Sequence, residues 1–324
     1  MKYRPFGKTG ISVSEIGFGG WALGSGWGLQ PESDSIDALN TAIDHGVNFI
    51  DTAIAYGDGR SEQVIGKVLK ERKEEVFVAS KIPPKPGPWP PSPYCVAEER
   101  YPEKYIRESV EFTLKNLKRD WIDVMQLHTW TRAWNRDPAP LRVLNKLKKE
   151  GKLRFTGVST PEHDQNALID LMKNQWVDAV QVIYNIFEQE PAAEFLPVAL
   201  EHKIGVIVRM AFDEGVLTGK YEKGHQFPSN DFRTRYFAGD RLERAIERTE
   251  KIRGEISGSG YTLPQAAIKF SLQHPAVSTV ITGIRNTDQA RKNVSVAGLP
   301  DLSPEQLGTL RNHAWLKAFW YSGK

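Results

Sequence analysis

The stretch GVNFIDTAIAYGDGRSEQVIGKVL, residues 46–69, decides the fold. It opens with a short β-like run, 47–50, places Asp51 directly at its end and Tyr56 in the turn that follows, and passes into a helical pattern, 61–72. Outward from this unit the same alternation repeats along the chain. Further strand-like runs lie at 15–18, 76–80, 122–127, 154–158, 179–183, 205–208 and 278–281, each rich in Val, Ile or Phe and closed by Gly, Asp, Ser or Pro. Helical patterns fall at 33–45, 103–117, 140–150, 161–173, 192–202, 241–257 and 288–297. In 103–117, Ile106, Val110, Thr113 and Leu117 recur at helical spacing and form one apolar stripe. Parallel strands need crossovers, and the crossovers here are helical, so eight alternations predict an α/β fold: a (β/α)8 TIM barrel spanning 1–324 as one domain. An open doubly wound sheet would carry a Gly-rich phosphate loop after an early strand. GFGGWALGSGWG, 17–28, fails G-x-G-x-x-G in register and puts Trp21 where the loop would approach a pyrophosphate.

Composition narrows the setting. The chain has 43 Lys plus Arg against 40 Asp plus Glu, a net charge of +3, too weak a field to imply nucleic acid or an anionic membrane as partner. Mean hydropathy is −0.45, no run reaches the ~20 apolar residues that span a bilayer, and the first twenty residues lack the apolar core of a secretion signal. The single cysteine, Cys95, excludes an intrachain disulfide framework and a Cys-rich metal site. A cytoplasmic protein is the expectation. Its oligomeric state does not follow from the sequence.

Four ionisable residues end different strand-like runs or the turns after them: Asp51, Tyr56, Lys81 in VFVASK and His128 in DVMQLH. A barrel gathers strand ends into one mouth. A carbonyl receiving hydride develops negative charge on oxygen and needs an oriented proton donor. Tyrosine supplies an O–H, sluggish at its ordinary pKa near ~10. A neighbouring Lys81 ammonium would stabilise the phenolate, Asp51 would fix that ammonium, and His128 would orient the carbonyl oxygen. Alone, each has an ordinary structural explanation. Together, on one face, they point to proton transfer.

The chain resembles the aldo-keto reductases over nearly its whole length. The matching stretches are PFGKTGISVSEIGFGGWALG, the opening 46–69 stretch, VASK, LKRDWIDVMQLH, GKLRFTGVST and VITGIRNTDQARKN. The resemblance implies a hairpin closing the barrel bottom and reversible hydride transfer between NADPH/NADP+ and an aldehyde or ketone, without metal. Asp51, Tyr56, Lys81 and His128 map to the family's tetrad, with Tyr56 as proton donor. Ser159 and Gln181 would hold the nicotinamide carboxamide, and the neighbouring Asn185 reads as a turn residue.

In VRMAFDEGVLTGKY, 208–221, Arg209 stands where many members have a tyrosine stacked on the nicotinamide. Either its guanidinium stacks there or it turns away to pair with Asp213, Glu214 or another acid. Ala211, Phe212 and Asp213 would run beside the cofactor. Gly215, Leu217, Gly219 and Lys220 would wrap its pyrophosphate through backbone N–H groups and one cation. In GIRNTDQARKN, 283–293, Arg285 would take a ribose 2′-phosphate at a helix N-terminus, with Gly283, Gln289 and Asn293 near the adenosine. Lys292 replaces an acid that some members set against adenine.

Trp21, Trp27, Trp89, Trp130 and Trp134 fall in loops after the first, third and fourth strands. Trp21, Trp89 and Trp130 are the candidate walls of a substrate pocket. Pro83–Pro102 is stiffened by proline and expected to contain no helix, and the 215–240 loop is expected to pack as a lid. Near the C-terminus a helix should start at Ser303 with Glu305 nearby, followed by Trp315, Phe319, Trp320 and Tyr321, packing on the barrel or a neighbouring subunit. A second reading keeps the fold but not the turnover: a nucleotide-binding, redox-sensing subunit, as the family's potassium-channel beta subunits are. The intact tetrad and the lack of a long segment ahead of the hairpin argue for turnover.

Overall fold

A computed structural model describes residues 1–24, 28, 30–88, 90–229 and 231–315. Two short strands, β1 (Tyr3–Pro5) and β2 (Ser12–Ser14), pair antiparallel. Eight parallel strands then close on themselves: β3 (Ile16–Gly19), β4 (Phe49–Asp51), β5 (Phe77–Ile82), β6 (Ile122–Leu127), β7 (Leu153–Ser159), β8 (Ala179–Ile183), β9 (Gly205–Arg209) and β10 (Val277–Gly283), with β10 beside β3. The strands read from the sequence are these, shifted by at most two residues at their ends.

The hairpin closes the N-terminal end of the barrel. Phe6, at its apex, is fully buried among Val13, Phe49, Phe77, Val124 and Ile207, burial that stabilises by about 1.5–3 kcal/mol. Gly7 has φ 57°, and a Cβ there would stand 2.4 Å from the Gly205 nitrogen. Only glycine allows so close an approach. Arg4 donates to the Leu272 and Val277 carbonyls, and Ser278 Oγ donates to the Pro5 carbonyl, so the first strand is tied to the last.

The outer layer holds α1 (Glu32–Asp44), α2 (Arg60–Glu71), α3 (Ala97–Arg100), α4 (Glu103–Leu117), α5 (Ala139–Lys149), α6 (Ile169–Lys173), α7 (Phe195–Glu201), α8 (Arg233–Tyr236), α9 (Arg241–Glu255), α10 (Leu263–Leu272), α11 (Thr287–Ser295) and α12 (Pro304–Arg311). Three departures from the sequence reading have physical causes. Helix α10 escapes periodicity because Leu263 and Ala266 through Leu272 are all buried, which erases the polar face. Its signal was the Thr262–Gln265 capping box. The pattern at 161–173 holds only the short α6, preceded by a 3₁₀ turn, because the Gln165 side chain is drawn into bonds with Thr160 and Ile183. Within the Pro-rich 83–102 segment, the proline-free stretch forms α3. Ser303 caps α12, reciprocated by Gln306 rather than Glu305. Trp315 packs edge-on against Phe187 at 5.5 Å, onto the barrel. Phe319, Trp320 and Tyr321 lie outside the described residues.

Candidate active site

The C-terminal strand ends bring Asp51, Lys81 and His128 together, and the loop after β4 carries Tyr56 back over them. Backbone bonds fix that loop: Tyr56 N donates to the Ala53 carbonyl and Ile54 N to the Lys81 carbonyl. The first turn of α2 anchors its far side. Ser61 Oγ donates to the Gly20 carbonyl and accepts from Thr52 Oγ1. Glu62, fully buried, accepts from Ser80 Oγ, Thr113 Oγ1 and Asn116 Nδ2 at 2.6–2.9 Å. Burial outweighs those three bonds and raises its carboxyl above the usual range. The sequence reading passed over this Ser-Glu pair; its signal was a charged residue on the inner face of an amphipathic helix.

The Lys81 ammonium is the hub. Its Nζ lies 2.6 Å from Asp51 Oδ2, 2.8 Å from the Thr52 carbonyl and 3.2 Å from the Tyr56 hydroxyl. Three hydrogens meet three acceptors in the barrel interior. Burial disfavours the charge, but Asp51 and Tyr56 together hold Lys81 above the ordinary lysine range. The Tyr56 result corrects the sequence expectation. Burial raises the phenol's pKa by more than Lys81 lowers it, and Asp51 adds to the rise, so Tyr56 stands above 10.0. Lys81 offsets part of the burial penalty without reversing it. Tyr56 is therefore fully protonated near neutral pH.

His128 lies with its ring 5.9 Å from that of Tyr56. Burial, then the charges of Lys81 and Arg209, push it well below 6.5. Its imidazole is neutral and offers one N–H. The tetrad thus presents two neutral donors above one enclosed cation.

Around it the predicted residues fall into groups. Gln181 donates Nε2 to Asp51 Oδ1 at 2.7 Å, so at least that half of its amide faces the tetrad. Ser159 is buried beside it in register, and Asn185 is the turn residue expected, accepting from Phe187 N and Glu188 N. Arg209 pairs with an acid, as the second alternative has it, but the acid is Glu162 and neither Asp213 nor Glu214. It donates to Glu162 Oε1 at 3.0 Å and to the Thr160 carbonyl at 3.1 Å, yet its charge is felt at both Tyr56 and His128. Its Nε is buried without a partner among the described residues.

The 210–219 loop corrects a second expectation. The N–H groups of Gly215 and Leu217 donate to the Phe212 carbonyl, and that of Gly219 donates to the Val216 carbonyl. The turn's own carbonyls have taken the donors assigned to a pyrophosphate. Asp213 is buried and accepts from the Tyr236 hydroxyl of α8 at 2.8 Å. Ala211 is buried, and Phe212 is half-buried against the core. What remains for an anion is charge. Burial first, then the charges of Arg233 and Arg285, push Lys220 below the ordinary lysine range, although Arg233 is itself paired with Asp231. Arg285 is oriented by Gln30, whose Oε1 accepts from its Nε at 3.1 Å, and Gln289 Oε1 accepts from its backbone N–H. Asn293 Nδ2 reaches the Gly283 carbonyl at 3.4 Å. Lys292 pairs with Asp288 along the exposed face of α11. Cationic crowding of this kind fits a dinucleotide's phosphates.

Trp21 stands edge-on to Tyr56 at 5.0 Å and 6.1 Å from Phe232, which belongs to the loop after β9. Trp130 departs from the pocket expectation. It is fully buried, packed at 5.2 Å against Trp134, with its N–H on Asn135 Oδ1. Trp134 is buried as well. Arg132 is paired with Asp164. Trp27 and Trp89 lie outside the described residues.

A closed parallel barrel thus carries a Tyr–Lys–Asp–His cluster at its C-terminal mouth. The chain belongs to the aldo/keto reductase family: residues 15–314 match that family's profile. It is 30% identical to the aldo-keto reductase YhdN of Bacillus subtilis, over 92% of this chain and 89% of that one. It is also 30% identical to a probable voltage-gated potassium channel subunit beta of Arabidopsis thaliana, over 94% of each. To the NADH-specific methylglyoxal reductase of Escherichia coli it is 28% identical, over 92% and 94%. The aldo-keto reductase AKR11C1 of Bacillus halodurans, in its holo form, superposes with a TM-score of 0.76 at 26% identity, covering 97% and 96%. Aldo-keto reductases use nicotinamide cofactors. No helix among the described residues is long and apolar enough to cross a membrane.

Proposed function

We propose that this chain reduces an aldehyde or ketone to an alcohol with NADPH, Tyr56 acting as the proton donor. The observation that carries the reading is the Lys81 ammonium bonded at once to Asp51 and to the Tyr56 hydroxyl. When bound, the cofactor supplies a hydride to the carbonyl carbon. Neutral His128 donates a hydrogen bond that orients the carbonyl oxygen, Tyr56 releases its proton to that oxygen, and Lys81 stabilises the phenolate left behind. Ser159 and the free half of the Gln181 amide are suited to a carboxamide. Loss of NADPH absorbance with a panel of aldehydes tests the reading.

Two arginines shape cofactor choice. Arg285, held by Gln30 within the cationic cluster, supports NADPH over NADH; the NADH-specific relative shows that the family alone does not decide. Arg285→Ala is expected to raise the NADPH Michaelis constant about 10–100-fold, the scale of a lost charged hydrogen bond. The NADH constant should barely move. Equal effects would place the 2′-phosphate elsewhere. Arg209 adds positive charge beside the reacting ring and should disfavour the cationic oxidised form, favouring reduction. Fluorescence titrations should show Arg209→Tyr tightening NADP+ relative to NADPH, and an unchanged ratio removes this role.

A second reading, a nucleotide-binding regulatory subunit, is favoured by the channel-subunit relative. It requires NADPH binding without consumption, so the same absorbance assay separates the two.

A further inference from the structure

The two oxygens of Asp51 are held differently. Oδ2 accepts from Lys81, whereas Oδ1 accepts from Gln181 Nε2 at 2.7 Å and, at longer reach, from Gln126 Nε2 at 3.5 Å. Gln126 lies on β6 abreast of Lys81 in the strand register, and two residues before His128. It is fully buried. Its stem runs against Gly157 of β7, where a Cβ would stand 3.0 Å from Gln126 Cγ and equally 3.0 Å from the Ala179 carbonyl oxygen. Its Oε1 is buried with no hydrogen-bond partner among the described residues, and Asp51 is the one polar contact its side chain makes there. An amide with an unmet acceptor is costly in a barrel interior, and a leucine of similar volume would avoid that cost. The group is therefore poorly explained by packing. It is well explained by the carboxylate, because an ionised oxygen in an apolar interior needs donors.

We propose that Gln126, together with Gln181, is a positioning residue that holds the inner oxygen of Asp51 and through it the Lys81–Tyr56 pair. The consequence for catalysis rests on the carbonyl-reduction reading; the contact itself does not. Two measurements on the full chain keep these apart.

The first is a double-mutant cycle in denaturant unfolding with Gln126→Leu and Asp51→Asn. The leucine should shift the midpoint in the native background, and that shift should vanish or reverse in the Asp51→Asn background. Equal shifts in both backgrounds overturn the proposal.

The second is kcat/KM against pH. Gln126→Leu should lower kcat about tenfold, the scale of one hydrogen bond to a charged group, with NADPH affinity by fluorescence quenching unchanged within about twofold. Gln126→Glu sets a second carboxylate beside Asp51. It should lose more activity at neutral pH and regain it as the pH falls, because the protonated acid again donates to Asp51. It also serves both measurements should the leucine variant fail to fold. A pH profile unmoved in both variants overturns the catalytic role. A chain that binds NADPH yet reduces no aldehyde overturns the reductase reading, and the unfolding cycle still decides Gln126.

Discussion

Tyr56→Phe is expected to lower NADPH-dependent turnover by about 10²–10⁴-fold, the contribution of a positioned general acid. Nucleotide affinity should stay within a factor of about two, since no step of binding uses the hydroxyl. The ring keeps its contacts with Trp21 and His128, and only the 3.2 Å bond to Lys81 is lost, so the variant should fold normally. The pH dependence of the parent chain is the companion result. Reduction needs the phenol protonated, and its pKa is raised above 10.0. The reductive rate should therefore run level through neutrality and fall only in strongly alkaline solution, while alcohol oxidation rises there. His128 sits well below 6.5, so no break is expected near that value. Single-turnover absorbance with any accepted aldehyde makes the comparison. Undiminished turnover in the phenylalanine variant would remove Tyr56 from the chemistry.

Lys81→Met should be the second most damaging change, and unlike the first it strikes the fold as well. Methionine leaves Asp51 buried with no cation, and breaking a buried ion pair from one side typically costs about 3–5 kcal/mol. The midpoint of denaturant unfolding should fall accordingly. Turnover should drop by about 10²–10³-fold, because the nearest charge opposing the burial that already makes Tyr56 a weaker acid is then gone and only the smaller effect of Arg209 remains. The sign of the linkage can be checked independently. Lys81 has a folded pKa above its ordinary 10.5, so its contribution is complete below that value and is lost as the pH rises through the folded one. The gap in stability between parent and variant should therefore be widest at neutral pH and shrink in alkali. A gap that grew with pH would mean the ammonium is not the stabilising group. Asp51→Asn breaks the same pair from the other side while keeping an oxygen for Lys81.

Strand positions were legible because parallel barrel strands are buried on both faces and read as short Val- and Ile-rich runs. The tetrad was legible because each member ends such a run or the turn after it. Part of what stayed hidden involves side chains whose partners are distant in sequence. Nothing near Gln126 announces Asp51, and nothing near Asp213 announces Tyr236. Trp130 looked like a loop tip because a sequence does not show that Trp134 would fold back onto it. The acidity of Tyr56 was misjudged because a neighbouring ammonium is visible in a motif, whereas the depth of its enclosure is not.

The plug at the barrel floor also orders events during biosynthesis. Arg4 bonds to carbonyls 268 and 273 residues further along, so the hairpin can lock only when the last strand has left the ribosome. Until then Phe6 has no complete socket, and the first residues made are among the last to be secured. A chain stalled before β10 would carry its apolar floor uncovered, a patch suited to capture by a chaperone.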